Sequence, residues 1–563
     1  MSSESGYDLR SLKMPYLSGL PLRLFVSLLE GPFGRLVISN LFSTVGVTKF
    51  RKLLIEDPPT FKPIHVVNNP AEPDTTIPFD HLPMKSITTP GFHFDSIHDY
   101  AQSYRQGKTT PLEIAQRVLE AIEDSNSSNP PLRAIIAYKT KDILDQAKRS
   151  QQRFEQNSPQ SILDGVPIAV KDEIDMIPYP TTGGTAFLGK NPVSQDSTVV
   201  SRLRQAGALL IGKANMHEIG INVTGLNPHH GCTRNPYALE HYTGGSSSGS
   251  AAAVAAGLCP VAIGADGGGS IRIPASFCGL VGLKSTFGRV SEYGALDLDW
   301  SVAHIGPIAA STTDAAIVWR VIAGPDPSDP DTLFQPAPDL QGWDNIDLNG
   351  LYIAVFWPWF NHSTSDMLTH CRKMLAHFTN LGASLIEVDI PDLDACRVAH
   401  LITISSEMAQ AMDATHAQHG KEHGLDVRTN LRLARAFSSQ DYIKAQRVRT
   451  RMMAHFKHAL RTADMIITPA TGVPAPPIKP GALPHGDSDL SLLLEIMRYS
   501  QPANLTGLPA IAFPVGYNDE GLPIGMQAIG RPWQEATLLR MAVCAEQALE
   551  RRKPVWHYDI LKG

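Results

Sequence analysis

Along most of the chain, short apolar runs alternate with amphipathic stretches, which predicts strands interleaved with helices. "VPIAVKDEID" is an apolar strand that ends on a lysine, "STVVSRLRQAG" a helix and "ALLIGKAN" a second strand. "AAAVAAGLC" follows as a small-residue helix and "PVAIGAD" as another strand. Upstream, "SIHDYAQSYRQGKTTPLEIAQRVLEAIEDS" predicts two helices, the second opened by Thr110–Pro111, because proline fits the first helical turn. Downstream, "MIITPATGVPAPP" and "GLPAIAFPVG" read as strands returning to the same sheet, and "EATLLRMAVCAEQALE" as a closing helix. This order implies an α/β fold with a covered sheet. Between about 323 and 464 a Pro/Asp-rich loop leads into segments that read as helical, with many His and Arg residues.

Residues 15–54 stand apart. "LPLRLFVSLLE" and "FGRLVISNLF" are apolar segments broken at Gly31–Pro32, followed by the basic turn "TKFRKLL". They read either as a helical hairpin packed on the core, or as a hydrophobic cap over an apolar channel, or as an interfacial membrane anchor. The expected organisation is an N-terminal apolar helical cap over 1–54, an extended proline-rich connector over 55–94 and a main α/β domain over 95–563.

Composition narrows the function classes. The hydrophobic share of 43% and charged share of 18% suit a globular enzyme. A net charge of −6 without a basic block argues against a nucleic-acid partner. The six cysteines show no CxxC pairing, so neither a disulfide framework nor a zinc ribbon is expected. No secretory signal or membrane-spanning run is visible, so an intracellular protein is expected, cytoplasmic or peripherally bound to membrane.

Several motifs compete for the chemistry. Gly245-Ser246-Ser247-Ser248-Gly249 matches G-x-S-x-G, but the preceding "NPYALEHYTGG" is polar and loop-like, where a nucleophile elbow needs a buried strand. "GLVGLKST" lacks the G-K-[ST] core of a phosphate loop. His416, His419 and His423 approach helical spacing, yet they have no matching carboxylate or cysteine, so they read as an exposed polar face and no metal site is expected. Lys171, taken alone, reads as a strand-end lysine paired with Asp172 or Glu173.

Taken together, "GGSSSGSAAAVAAGLCPVAIGADGGGSIRIPASFCGLVGLKST" resembles the amidase signature, and "DGVPIAVKDEID" the lysine segment of that family. "LIGKANMHEIG", "RNPY" and "GLPIGMQAIGRPWQEATLL" extend the resemblance over roughly 95–545, and "YLSGLPLRLFVSLLEGP" makes it similar to the plant-type fatty acid amide hydrolases. One departure is Ala265, where many relatives carry threonine. The resemblance implies an amidase-signature fold: a mixed central β-sheet covered by helices on both faces, with an N-terminal helical extension. It also implies a Ser–Ser–Lys triad: Lys171 as base, Ser246 as the bridging serine in a cis-peptide turn, Ser270 as nucleophile. Ser246 lies 75 residues after Lys171 and Ser270 24 after Ser246, which favours Ser246 over Ser247.

The expected chemistry follows. A neutral lysine accepts the nucleophile's proton through a serine that both donates and accepts. Gly267, Gly268 and Gly269 aim N–H groups at an oxyanion. Ser247 and Arg272 support the turn. No metal or organic cofactor is expected, and activity should favour mildly alkaline pH. The expected partner is a small-molecule amide, a lipid such as an N-acylethanolamine, with membrane contact through residues 15–54 and a homodimer implied by the resemblance alone. Aryl or small aliphatic amides, carbamates and esters form the alternative substrate set. A non-catalytic lipid-binding homologue and an amidotransferase subunit are the other classes weighed.

Overall fold

All positions of Pro167–Lys171, Leu209–Ala214 and Val261–Ala265 are buried. Strands buried on both faces need cover on both faces, and helices supply it. The computed structural model describes residues 6–72, 82, 89–483 and 485–562. Its centre is one eleven-stranded sheet. Along the chain the strands are β1 (Ile135–Ala137), β2 (Pro167–Lys171), β3 (Leu209–Ala214), β4 (Val261–Ala265), β5 (Val281–Lys284) and β6 (Ile305–Ala309). They continue as β7 (Tyr352–Val355), β8 (Ser384–Glu387), β9 (Met465–Pro469), β10 (Ala510–Tyr517) and β11 (Pro523–Gly530). Across the sheet the order is β8-β7-β9-β11-β10-β5-β6-β4-β2-β3-β1.

β2 runs parallel to both β3 and β4, and β7 parallel to both β8 and β9. The other pairings are antiparallel, so the sheet is mixed. Early and late strands meet where Ala510 of β10 faces Lys284 of β5. Two local expectations are corrected. β7 and β8 arise inside the stretch that reads as helical; each has four residues, and β8 is a largely exposed edge with little apolar signal. "NPYALEHYTGG" is no loop: Arg234–Asn235 and Ala238–Tyr242 pair as a hairpin, whose partly exposed side chains hide it from an apolar pattern.

The helix Ser248–Ala255 is buried at every position. Its small side chains let the backbone come close: a Cβ on Gly249 would lie 2.2 Å from Asn215 N and 2.3 Å from Ala134 O. No larger residue fits there.

The N-terminal segment forms α1 (Gly19–Glu30), α2 (Gly34–Thr44) and α3 (Val47–Arg51). α1 and α2 meet at 109°. α1 buries Leu22, Val26 and Leu29 and turns Leu20, Leu24 and Leu28 outward. Phe33 and Leu36 continue that face at 63% and 72% exposure. Beneath, Leu29, Ile38, Phe42 and Phe50 join an apolar cluster with Leu393 and Met452. Arg428 pairs with Glu30 at 2.6 Å and Arg432 donates to Leu29 O. Among the described residues, no single helix is long and apolar enough to cross a membrane. The connector expected over 55–94 lies outside the described residues at 73–81 and 83–88; over 55–72 it contains no helix or strand, and it lies against the helix Ser439–Ala459 through Thr60 N and Gln446 O.

Candidate active site

β2 and β4 run side by side, and both end at the same level of the sheet. The last residue of β2 is Lys171, and β4 ends at Ala265, where the Asp266–Ser270 turn begins. Lys171 Nζ donates to Ala265 O at 3.1 Å and to Ser246 Oγ at 2.7 Å. It also lies 3.0 Å from Glu173 Oε1. The strand-end pairing expected of Lys171 thus exists with Glu173, while Asp172 lies 3.6 Å from the buried Lys213. Lys171, Ser246 and Ser270 are 1%, 2% and 4% exposed, and all three line one cavity of about 390 Å³.

Ser246 sits at the turn before the helix Ser248–Ala255, and the Gly245–Ser246 peptide is cis. Its carbonyl accepts from His217 N at 3.0 Å. Ser247 ties the two turns together. Its N–H donates to Ser270 O at 3.3 Å, and its hydroxyl both accepts from Ala265 N and donates to Ala265 O. The Ser270 hydroxyl makes no hydrogen bond among the described residues and faces the cavity.

The glycine turn is held from below. Arg272 forks onto both Asp266 oxygens at 3.0 Å and reaches Ser500 O, Asn504 Oδ1 and Gln527 Oε1. Burial opposes ionisation of Asp266, but Arg272, Lys284 and Asn504 outweigh it and hold the carboxyl well below the usual range. Asp266 Oδ1 accepts Gly269 N–H at 2.6 Å. The N–H groups of Gly267 and Gly268 meet no acceptor among the described residues, so Gly269 is turned away from the role its two neighbours can fill. His400 Nε2 lies 2.8 Å from Gly267 O, and burial pushes this imidazole down to about 4, so it is neutral at pH 7.

Asp266, His400 and the C-terminal trio Ser500, Asn504 and Gln527 escape sequence reasoning. Only Asp266 carries a local signal, as the acid that opens the glycine run. The histidine triplet is corrected in part: His423 is buried, 2.6 Å from Glu218 Oε1 and edge-on to Phe187, so it is no exposed face.

A family model described as Amidase matches residues 116–539. The chain is 40% identical over 587 residues to the fatty acid amide hydrolase of Arabidopsis thaliana, covering 99% of this chain and 96% of that one. It is also 40% identical over 590 residues to the fatty acid amide hydrolase of Oryza sativa subsp. indica, covering 99% and 97%. The solved peptide amidase of Stenotrophomonas maltophilia superposes with a TM-score of 0.71 at 29% identity, over 82% of this chain and 98% of that one.

Proposed function

The chain belongs to the amidase family and is an amide-cleaving hydrolase, and from that premise we propose that it hydrolyses fatty acid amides at Ser270 through a Ser–Ser–Lys relay. The observation that carries this reading is the 2.7 Å hydrogen bond from Lys171 to Ser246, beside a Ser270 hydroxyl that faces the same cavity unpartnered. Ser270 Oγ attacks the carbonyl carbon while its proton passes to Ser246 Oγ and the Ser246 proton passes to a neutral Lys171. The carbonyl oxygen becomes an oxyanion held by the Gly267 and Gly268 N–H groups. When the C–N bond breaks, the proton returns through Ser246 to the leaving amine. Water then cleaves the acyl-enzyme by the same relay.

A second chamber of about 80 Å³ supports an apolar acyl group. It shares Ser270 with the main cavity and is walled by Ile221, Leu401, Ile404, Met408, Leu493 and Met497. Asn430 on its rim belongs to the helix Leu425–Ala434, whose Arg428 and Arg432 hold α1. The chamber thus lies one helix away from the outward leucine face, an arrangement suited to taking a lipid from a membrane surface. Homodimerisation is retained as part of the proposal.

The test is kcat/KM across N-acylethanolamines from acetyl to long chains, with Ser270→Ala as control. Each buried methylene is worth about 0.8 kcal/mol, so kcat/KM rises steeply with chain length and vanishes in the variant. A flat profile with intact Ser270 chemistry moves the substrate to aryl or small amides, carbamates or esters.

A further inference from the structure

The two chambers that meet at Ser270 differ sharply in chemistry. The apolar one touches neither Lys171 nor Ser246. The larger one contains both. Besides Asp266, which Arg272 neutralises, the larger chamber is lined by six carboxylates: Glu173, Glu292, Asp297, Asp299, Asp329 and Asp331. Its two lysines are already engaged, Lys171 with Glu173 and Lys62 with Asp331. No arginine lines it. Trp300 and Tyr293 add aromatic walls of the kind that attract ammonium groups.

Position links this charge to the reacting atoms. Asp299 Oδ2 lies 1.8 Å from where a Cβ on Gly267 would sit, so its carboxylate abuts the turn that leads into Ser270. Neither the Asp299 nor the Glu292 carboxylate makes a hydrogen bond among the described residues. Burial and the surrounding acids push both carboxyls well above the usual range. Acidic groups are gathered here around a 4%-exposed serine hydroxyl, and neither Asp299 nor Glu292 forms an ion pair among the described residues, so a cation entering the chamber would find acids free to ionise against it.

The relay decides which half of the substrate enters. The leaving amine takes its proton from Ser246, so it departs on the Lys171–Ser246 side, into the acidic chamber, while the acyl group occupies the apolar one. We infer that this hydrolase selects amides whose amine portion carries a second, protonated nitrogen, with the carboxylates around Glu292, Asp299 and Asp329 as its specificity determinants. The inference rests on the relay reading above. An N-acyl diamine fits it, with the free ammonium among the acids and the acylated nitrogen at Ser246.

The test compares two amides of one acyl chain and equal length: N-dodecanoyl putrescine, which ends in an ammonium, and N-dodecanoyl pentylamine, which ends in a methyl. In the full-length protein the cationic substrate is preferred in kcat/KM by about tenfold or more. The preference shrinks as salt rises. It also shrinks in Glu292→Gln and in Asp329→Asn. Equal rates, or a preference for the pentylamide, overturn the inference and leave the hydrolase reading standing. Hydrolysis of neither amide, with no fluorophosphonate labelling at Ser270, overturns the hydrolase reading and the inference with it.

Discussion

Glu173 follows Lys171 by two residues, and its Oε1 lies 3.0 Å from the Lys171 nitrogen, on the cavity shared with Ser246 and Ser270. The contact holds the amine in place beside Ser246, so Glu173→Gln, which removes the ion pair, lowers kcat/KM by about tenfold or more. Lys171→Met removes the proposed proton acceptor altogether and lowers kcat by about a thousandfold. Steady-state kinetics on wild type and both variants, with urea unfolding as the control for the fold, check this, and an unchanged kcat/KM in Glu173→Gln means the carboxylate does not act on the relay.

Arg272 is the anchor of the glycine turn. Its removal as Arg272→Met leaves Asp266 buried without its cation, at a cost of about 3–5 kcal/mol. Arg272→Lys keeps the charge but not the fork onto both oxygens, so it falls between. Urea unfolding ranks the three proteins, and fluorophosphonate labelling reports the turn: both fall in the order wild type, Lys, Met.

Gly249→Ala places a methyl 2.2 Å from Asn215 N, in backbone that cannot yield cheaply. Overpacking of this kind costs about 1–3 kcal/mol or more. The urea midpoint drops, with loss of activity, because the same helix begins beside Ser246.

His400 makes one separable contribution to the pH dependence of stability. Burial pushes its folded-state value from 6.5 to about 4, so the unfolded chain binds the proton more readily. The contribution is fully present above pH 6.5 and is lost as pH falls toward about 4, reaching up to about 3 kcal/mol. His400→Gln lacks this group. The stability gap between wild type and variant, measured in urea, changes across that window and is constant above it.

The outward leucines are tested apart from the catalytic groups. Leu20, Leu24 and Leu28 are 67%, 62% and 44% exposed, so their joint replacement by serine leaves the core untouched. Sedimentation with phospholipid vesicles should weaken by about tenfold or more, given the apolar area withdrawn. Wild-type protein that ignores vesicles removes the membrane proposal. Sedimentation velocity of the same samples reports whether the face instead covers a second copy.

Much of this architecture is legible in the sequence because it is written locally. β2, β3 and β4 are apolar runs, interrupted only by Lys213 in β3 and ended by Lys171 in β2, and the serines and glycines stand on turns that flank a small-residue helix. What escapes reading is either faint or distant. β7 and β8 are four-residue strands among helices, and the Arg234–Tyr242 hairpin exposes too much polar surface to show a pattern. Lys213 and Lys284 are as buried as Lys171, so strand-end position does not single out a base. Ser500, Asn504 and Gln527 meet Arg272 across more than 220 residues of chain, and only the folded sheet brings them together.

That same distance orders the birth of the enzyme. β10 and β11 are the last strands in the chain, yet they lie inside the sheet, between β5 and β9. A nascent chain stalled before residue 500 already contains Lys171, Ser246 and Ser270, but it lacks the three groups that complete the Arg272 anchor and the strands that join the halves of the sheet. Translation therefore delivers the three residues of the proposed relay before it delivers the turn that would aim them, so the proposed hydrolysis waits until nearly the whole chain has left the ribosome.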